Sequence, residues 1–219
     1  MFILALGTNN IMDNFFKHPI KQIQTFIDNN SILENSHFHY SMVEYDYKTK
    51  TYNRKNFAIT GKTLSIEWLT RIINELPSNW ELSFHSVIQL PDESVMHIPM
   101  IDFNIENLSA MSLEIIRERF YHQKELIKFE SVVEQMIIYE SGRSYHGYSS
   151  ILLEPAEWVR FMTSMILLNF IKELNANSLI VDERWIAHRL LEGYGSLRWS
   201  ANSKKSLQYA SLKDGLSLI

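Results

Sequence analysis

Cysteine is absent from this chain of 219 residues. That excludes structural disulfides and thiolate-ligated zinc, and it fits a reducing compartment. Glycine and proline are sparse, at seven and five residues, whereas aromatics are plentiful, with ten Tyr, twelve Phe and five Trp. Such a composition is neither low-complexity nor disordered. Positive charge is not in excess either: 21 Lys and Arg stand against 25 Asp and Glu, a formal net charge of -4. A chain basic throughout is excluded, while a local basic groove is still allowed. No apolar run approaches the ~20 residues of a membrane span. The most apolar stretch, around residues 161–170, carries Thr163, Ser164 and Asn169 and reads as a buried core helix. The opening Met1-Phe2-Ile3-Leu4-Ala5-Leu6 is too short for the apolar region of a signal peptide and lacks a basic start. A cytoplasmic location without membrane contact is the expectation.

What is there suffices for a sizeable core. The hydrophobic fraction is 46% and the charged fraction 21%, ordinary values for a globular chain. Apolar residues at helical spacing predict a helix over residues 14–29. Alternation over 37–60 predicts a hairpin with its turn near Lys48 to Lys50. A helix follows to Leu76, stopped by Pro77. Strands are expected at 81–90 and 95–105, a charged helix at 108–126, and two strands at 134–140 and 145–153. Pro155 opens a helix to about 174. A short buried strand at 178–181 ends at Asp182, with a helix over 185–191 and an extended stretch over 196–201. Hairpins mixed with helices imply an α+β fold with an antiparallel or mixed sheet. We expect a single domain, with an N-terminal α/β part to about residue 78, a catalytic part over 79–206 and a short tail over 207–219.

Three constellations carry chemistry. In His97-Ile98-Pro99-Met100-Ile101-Asp102-Phe103-Asn104-Ile105-Glu106, strand alternation would put Asp102, Asn104 and Glu106 on one face. Oxygen ligands so spaced suit Mg²⁺ or Mn²⁺, with substrate phosphates completing the shell. A strand with a wet polar side fits the same residues. Ser141-Gly142-Arg143-Ser144-Tyr145-His146 is a polar turn in which Arg143 and His146 would donate to phosphate oxygens beside Ser144. A plain hairpin with a turn glycine also accounts for it. Asp182 is followed by Arg184, Arg189, Arg198, Ser200, Asn202, Lys204 and Lys205. Here an acid at a strand end would hold a metal or cap the next helix, and Arg198 with Ser200 would reach phosphate or sugar. His37 and His39 alternate without a third ligand nearby and read as exposed. No Gly-x-Ser-x-Gly elbow surrounds Ser141 or Ser144, which argues against a serine hydrolase.

Taken in order, these residues resemble the catalytic core of the archaeo-eukaryotic primase (primase-polymerase) superfamily. Ile101-Asp102-Phe103-Asn104 matches its acidic strand-end motif and Ser144-Tyr145-His146 its small-x-His motif. Val181-Asp182 matches its hydrophobic-acid motif, and Leu197-Arg198-Trp199-Ser200 with Lys204 its downstream basic strand. The resemblance covers roughly residues 80–206. It implies an RRM-like primase core and a metal-dependent nucleotidyltransferase acting in DNA replication or repair. Asp102 and Asp182 would hold Mg²⁺ or Mn²⁺, with Asn104 or Glu106 as further ligands. Ser144, His146, Arg143, Arg198, Ser200 and Lys204 would contact the nucleotide, and His146 would act with the two acids in catalysis. The implied partners are a nucleoside triphosphate, a DNA or RNA template, and a protein supplying helicase or accessory function. One departure stands out: Asn104 occupies the place of the motif's second acid. A binding module of the same fold that has lost catalysis is the alternative this raises.

Overall fold

The structure, a computed structural model, describes residues 17–44, 53–105, 110–142, 144–169, 179–202 and 211–217. Two antiparallel sheets organise them. The first contains β1 (His37–Glu44), β2 (Arg54–Thr60), β3 (Trp80–Gln89), β4 (Val95–His97) and β8 (Ser196–Arg198). Its order is β2-β1-β3-β4, and β8 pairs with β3 through Ser83↔Arg198 and His85↔Ser196. The second contains β5 (Met100–Phe103), β6 (Met136–Glu140), β7 (Tyr145–Ser149) and β9 (Ser211–Ser217), in the order β5-β7-β6-β9. Strands from both sides of residue 78 thus build the first sheet, and β9, from the stretch read as a tail, pairs with β6.

Helices flank these sheets where the apolar spacing is helical. α1 (Ile20–Asp28) buries Ile20, Ile23, Phe26 and Ile27 at helical intervals. α2 (Ser31–Glu34) is a single turn, and α3 (Ile66–Glu75) starts at Ser65, whose hydroxyl accepts from the Trp68 amide at 3.1 Å. α4 (Ala110–His122) breaks at Gln123 before the short α5 (Lys124–Ile127) and α6 (Glu130–Glu134). α7 (Pro155–Met165) carries proline in its first turn, and α8 (Glu183–Glu192) ends on left-handed Gly193 with φ 80°.

Two apolar cores result. The first joins α1 and α3 to the first sheet around Phe38, Tyr40, Phe84 and Trp199. The second joins α4 and α7 to the second sheet around Phe103, Phe120, Trp158 and Phe161. Trp199 ties the sheets together. Its ring centroid is 4.5 Å from that of Phe84, and its indole N–H donates to the Tyr148 hydroxyl on β7 at 3.2 Å.

Three expectations are corrected here. The stretch 95–105 is not one strand: it breaks at Ile98-Pro99, leaving β4 in one sheet and β5 in the other. Proline lacks the N–H a continuous ladder needs. Of the strand expected at 178–181, the described residues 179–181 contribute an isolated bridge, Val181 to Phe103, since Asn169 occupies the Ile180 and Val181 amides. His39 is half-buried rather than exposed. The turn at Lys48 to Lys50 and the expected helix beyond residue 169 lie outside the described residues.

Candidate active site

Strand alternation sorts β5 into two environments. Ile101 and Phe103 enter the second core, while Met100 enters the first, so Asp102 shares the Met100 face. β7 divides in the same way: Tyr145 and Gly147 face the second core, and His146 and Tyr148 face the first sheet. Register then sets the site, because Asp102 lies directly across from His146, and His146 directly across from Tyr139. Opposed residues of an antiparallel pair project to the same side. The side of the second sheet that faces the first therefore carries Asp102 and His146 together. Gly147 keeps its own strand close to the second core, where an added Cβ would come within 2.6 Å of the Met136 sulfur.

Asp182 reaches the same place along the backbone. Its amide donates to the Asp102 carbonyl at 2.9 Å, next to the bridge between Phe103 and Val181. Its Oδ1 accepts from the Trp185 amide at 3.0 Å, capping α8. The two acids are partly open, with side-chain exposures of 24% for Asp102 and 29% for Asp182, whereas His146 is 7% exposed. The cap and the strand-end acid, alternatives in the sequence, are thus compatible in one side chain.

The turn before β7 is tight. The Ser141 amide donates to the Ser144 carbonyl at 2.9 Å, and Gly142 adopts φ 95° between them, a conformation suited to glycine. Arg198, from the end of β8, reaches across to this turn. It donates to the Ser141 carbonyl at 3.2 Å and to the Ser200 carbonyl at 2.6 Å. The second and fourth motifs therefore meet although they belong to different sheets.

Electrostatics keep His146 neutral. Burial, with the Arg198 charge and His18 nearby, lowers its pKa to about 3. Its Nε2 lies 3.8 Å from Asp102 Oδ1, too far for a hydrogen bond, and with a neutral imidazole this contact is not an ion pair. Among the described residues His146 Nδ1 is buried without a hydrogen-bond partner, an orphan of the sort that a ligand satisfies. His18 is also neutral. The Ile20 amide donates to its Nδ1 at 3.1 Å, so Nε2 carries the proton that meets the Trp199 carbonyl at 2.9 Å.

Two other predicted residues sit elsewhere. Ser200 is fully buried; its hydroxyl donates to Glu81 and accepts from the Leu82 amide at 2.8 Å. Asn104 is exposed one residue beyond β5, its amide donating to the Ile180 carbonyl at 2.9 Å. Ser144 is half-buried, with its hydroxyl 3.5 Å from that of Ser141. Glu106, Arg143 and Lys204 lie outside the described residues. Two residues that build the site have no motif of their own. Glu81 sits in a period-2 polar series with Ser83 and His85 that reads as a solvent face, yet all three are buried. His18 is marked only by its place before Pro19 at a helix start.

Over residues 60–211 the chain matches the AEP-like family, described as archaeo-eukaryotic primase 1D-like. It belongs to that family. The match spans the motifs at Asp102, His146, Asp182 and Arg198, and the α+β architecture with antiparallel sheets and flanking helices accords with a primase-like core. A primase-type nucleotidyltransferase fold is thereby established for this AEP-like chain. No curated protein and no solved structure matches it. Primases of this kind generally use divalent metals, which raises the question of donors. Among the described residues no group of three or more His, Asp or Glu side chains is placed to hold a metal ion. Mg²⁺, however, typically takes one or two carboxylates and completes its shell with water and substrate phosphates. Asp102 and Asp182, joined through their backbones and both partly open, fit a single such ion. Among the described residues no helix of this AEP-like protein is long and apolar enough to cross a membrane.

Proposed function

We propose that the site formed by Asp102, His146, Asp182 and Arg198 binds the triphosphate of a nucleotide and transfers the nucleotidyl group to a nucleic-acid strand. One observation carries this reading: Asp102, His146 and Arg198, distant in sequence, meet across two sheets, and His146 holds a buried imidazole nitrogen with no hydrogen-bond partner among the described residues. A neutral His146 donates a hydrogen bond to a phosphate oxygen without competing with a cation for the adjacent acid. Arg198 supplies fixed positive charge, and the Ser144 hydroxyl a further donor. Asp102 and Asp182 would hold Mg²⁺ or Mn²⁺, and the bound metal would lower the attacking hydroxyl's pKa and offset charge on the departing pyrophosphate. The residues themselves orient the triphosphate and shield it from water. Template DNA or RNA, and a helicase or accessory protein, are the partners this function calls for.

A second reading is nucleotide or nucleic-acid binding without turnover. It is favoured by the neutral, exposed Asn104 in the place of an acid, which removes one negative charge from the metal side of the site. Incorporation of labelled nucleotide on primed and unprimed templates, with Mn²⁺ and with Mg²⁺, separates the two. Product lost in Asp182→Ala supports transfer. Nucleotide binding that is weakened by His146→Ala, with no product under either metal, supports the binding module.

A further inference from the structure

The pairing of β8 with β3 stops half-way through a rung. In an antiparallel ladder the bonded pairs alternate, and each such pair exchanges two N–H···O bonds. Phe84 lies across from Leu197 and Ser83 from Arg198, so Leu82 and Trp199 form the next pair. Half of their exchange is made: the Trp199 amide donates to the Leu82 carbonyl at 2.7 Å. The return bond is diverted. The Leu82 amide donates instead to the Ser200 hydroxyl at 2.8 Å, and the Trp199 carbonyl accepts from His18 Nε2 at 2.9 Å.

The diversion bears on Arg198. The Trp199 carbonyl belongs to the peptide that joins Trp199 to Ser200, and the next carbonyl, that of Ser200, receives the Arg198 guanidinium at 2.6 Å. The same guanidinium reaches the Ser141 carbonyl in the other sheet. Were the rung to close, the Leu82 amide would leave the Ser200 hydroxyl for the Trp199 carbonyl. The peptide between Trp199 and Ser200 would turn with it and carry the Ser200 carbonyl away from Arg198.

His18 is held in place before it meets Trp199. It is fully buried, its carbonyl accepts from the Lys21 amide at 3.1 Å, and its Nδ1 accepts from the Ile20 amide at 3.1 Å. Pro19, with φ -53°, stiffens the link between them. The turn that opens α1 thereby fixes the tautomer and aims the Nε2 proton at Trp199. The imidazole also meets the indole edge-on, with ring centroids 5.1 Å apart. His18 lies outside residues 60–211, over which the chain matches the AEP-like family.

We propose that His18 is a positioning residue for the triphosphate site: it holds the Trp199 carbonyl out of the ladder and so sets the Ser200 carbonyl and the Arg198 guanidinium. This role rests on the nucleotide reading of Arg198. His18→Asn keeps an acceptor for the Ile20 amide, a bond asparagine favours at this two-residue spacing, but is too short to reach Trp199. His18→Gln is long enough to donate to Trp199. His18→Leu also loses the Trp199 bond, and replaces His18→Asn where a thermal melt finds that variant unfolded. Isothermal titration with a nucleoside triphosphate measures each variant, alone and combined with Arg198→Ala. His18→Asn is expected to bind about tenfold more weakly, and His18→Gln to recover most of that loss. In the Arg198→Ala background His18→Asn should cost nothing further, since both substitutions act on one guanidinium. A purely structural His18 would lower the melting temperature with affinity unchanged, or would add its loss to that of Arg198→Ala. Either result overturns the proposal, as does a His18→Gln protein that binds no better than His18→Asn. Wild-type protein that binds no triphosphate removes the nucleotide reading and the role of His18 with it. Wild-type binding that His18→Asn leaves intact removes the role of His18 alone.

Discussion

Arg198 donates to the backbone carbonyl of Ser141, tying the end of a strand in one sheet to the turn that opens a strand in the other. The two residues are 57 positions apart. Their contact joins the two sheets beside His146, which makes Arg198 both a wall and a charge. Arg198→Lys preserves the charge and loses the forked geometry that spans two carbonyls. We expect it to weaken triphosphate binding about tenfold or more, with Arg198→Ala weaker still; isothermal titration with a nucleoside triphosphate measures this. Equal affinity in all three proteins would remove Arg198 from the site.

Glu81 holds that wall in place. Its carboxylate accepts from the Ser200 hydroxyl and, at 3.1 Å, from the Asn202 amide, while the Ser200 carbonyl receives Arg198. Ser200→Ala removes the partner of a buried carboxylate and of the Leu82 amide. Urea unfolding should show a loss of about 1–3 kcal/mol. Ser200→Thr, which keeps the hydroxyl, should lose less; the reverse order would contradict a hydrogen-bonding role.

Acid should destabilise the protein through its buried histidines. Burial lowers His18, His85 and His146 to about 3 and His97 to about 4, from an ordinary 6.5. Between those values the unfolded chain binds protons that the folded chain refuses, so stability is full above about pH 6.5 and falls as pH drops toward 3–4. Each histidine contributes up to about 1.4 kcal/mol per pH unit in that window. Urea midpoints should therefore decline from pH 7 to pH 5. A midpoint that holds constant over that range would contradict neutral burial. Triphosphate binding should show no step from His146 near pH 6.5.

Gly61 is set by contact rather than by φ. An added Cβ would lie 2.1 Å from the Leu33 carbonyl oxygen, and the Gly61 amide itself donates to the Ser36 carbonyl at 3.0 Å. Gly61→Ala must push apart the α2 backbone and the turn that follows β2, at a cost of about 1–3 kcal/mol. A thermal melt unchanged from wild type would show that this junction yields freely.

Much of this was legible in the chain. The order of Asp102, His146, Asp182 and Arg198 pointed to the family, and period-2 alternation at Ile101-Asp102-Phe103 placed the acid opposite the core face. The failures have physical causes. Pro99 divides a stretch whose apolar pattern reads as one strand, and β5 then ends at Phe103, so Asn104 lies past the strand that carries Asp102. Ser200 looked like a ligand group because a polar residue near a basic one carries no sign of burial. Its partner Glu81 is more than a hundred residues away, beyond the reach of any local pattern.

The nucleotide-transfer reading stands most directly on Asp182, and its cap to α8 allows a clean substitution. Asparagine caps helices about as well as aspartate, so Asp182→Asn keeps the fold and removes the charge. Incorporation of labelled nucleotide on a primed template, with Mn²⁺ and with Mg²⁺, is the decisive measurement. Wild-type protein is predicted to extend the primer, and Asp182→Asn to lose about a hundredfold or more of that activity with its melting temperature retained. Wild-type levels of extension in Asp182→Asn, or no extension by wild-type protein that binds the nucleotide, would contradict it.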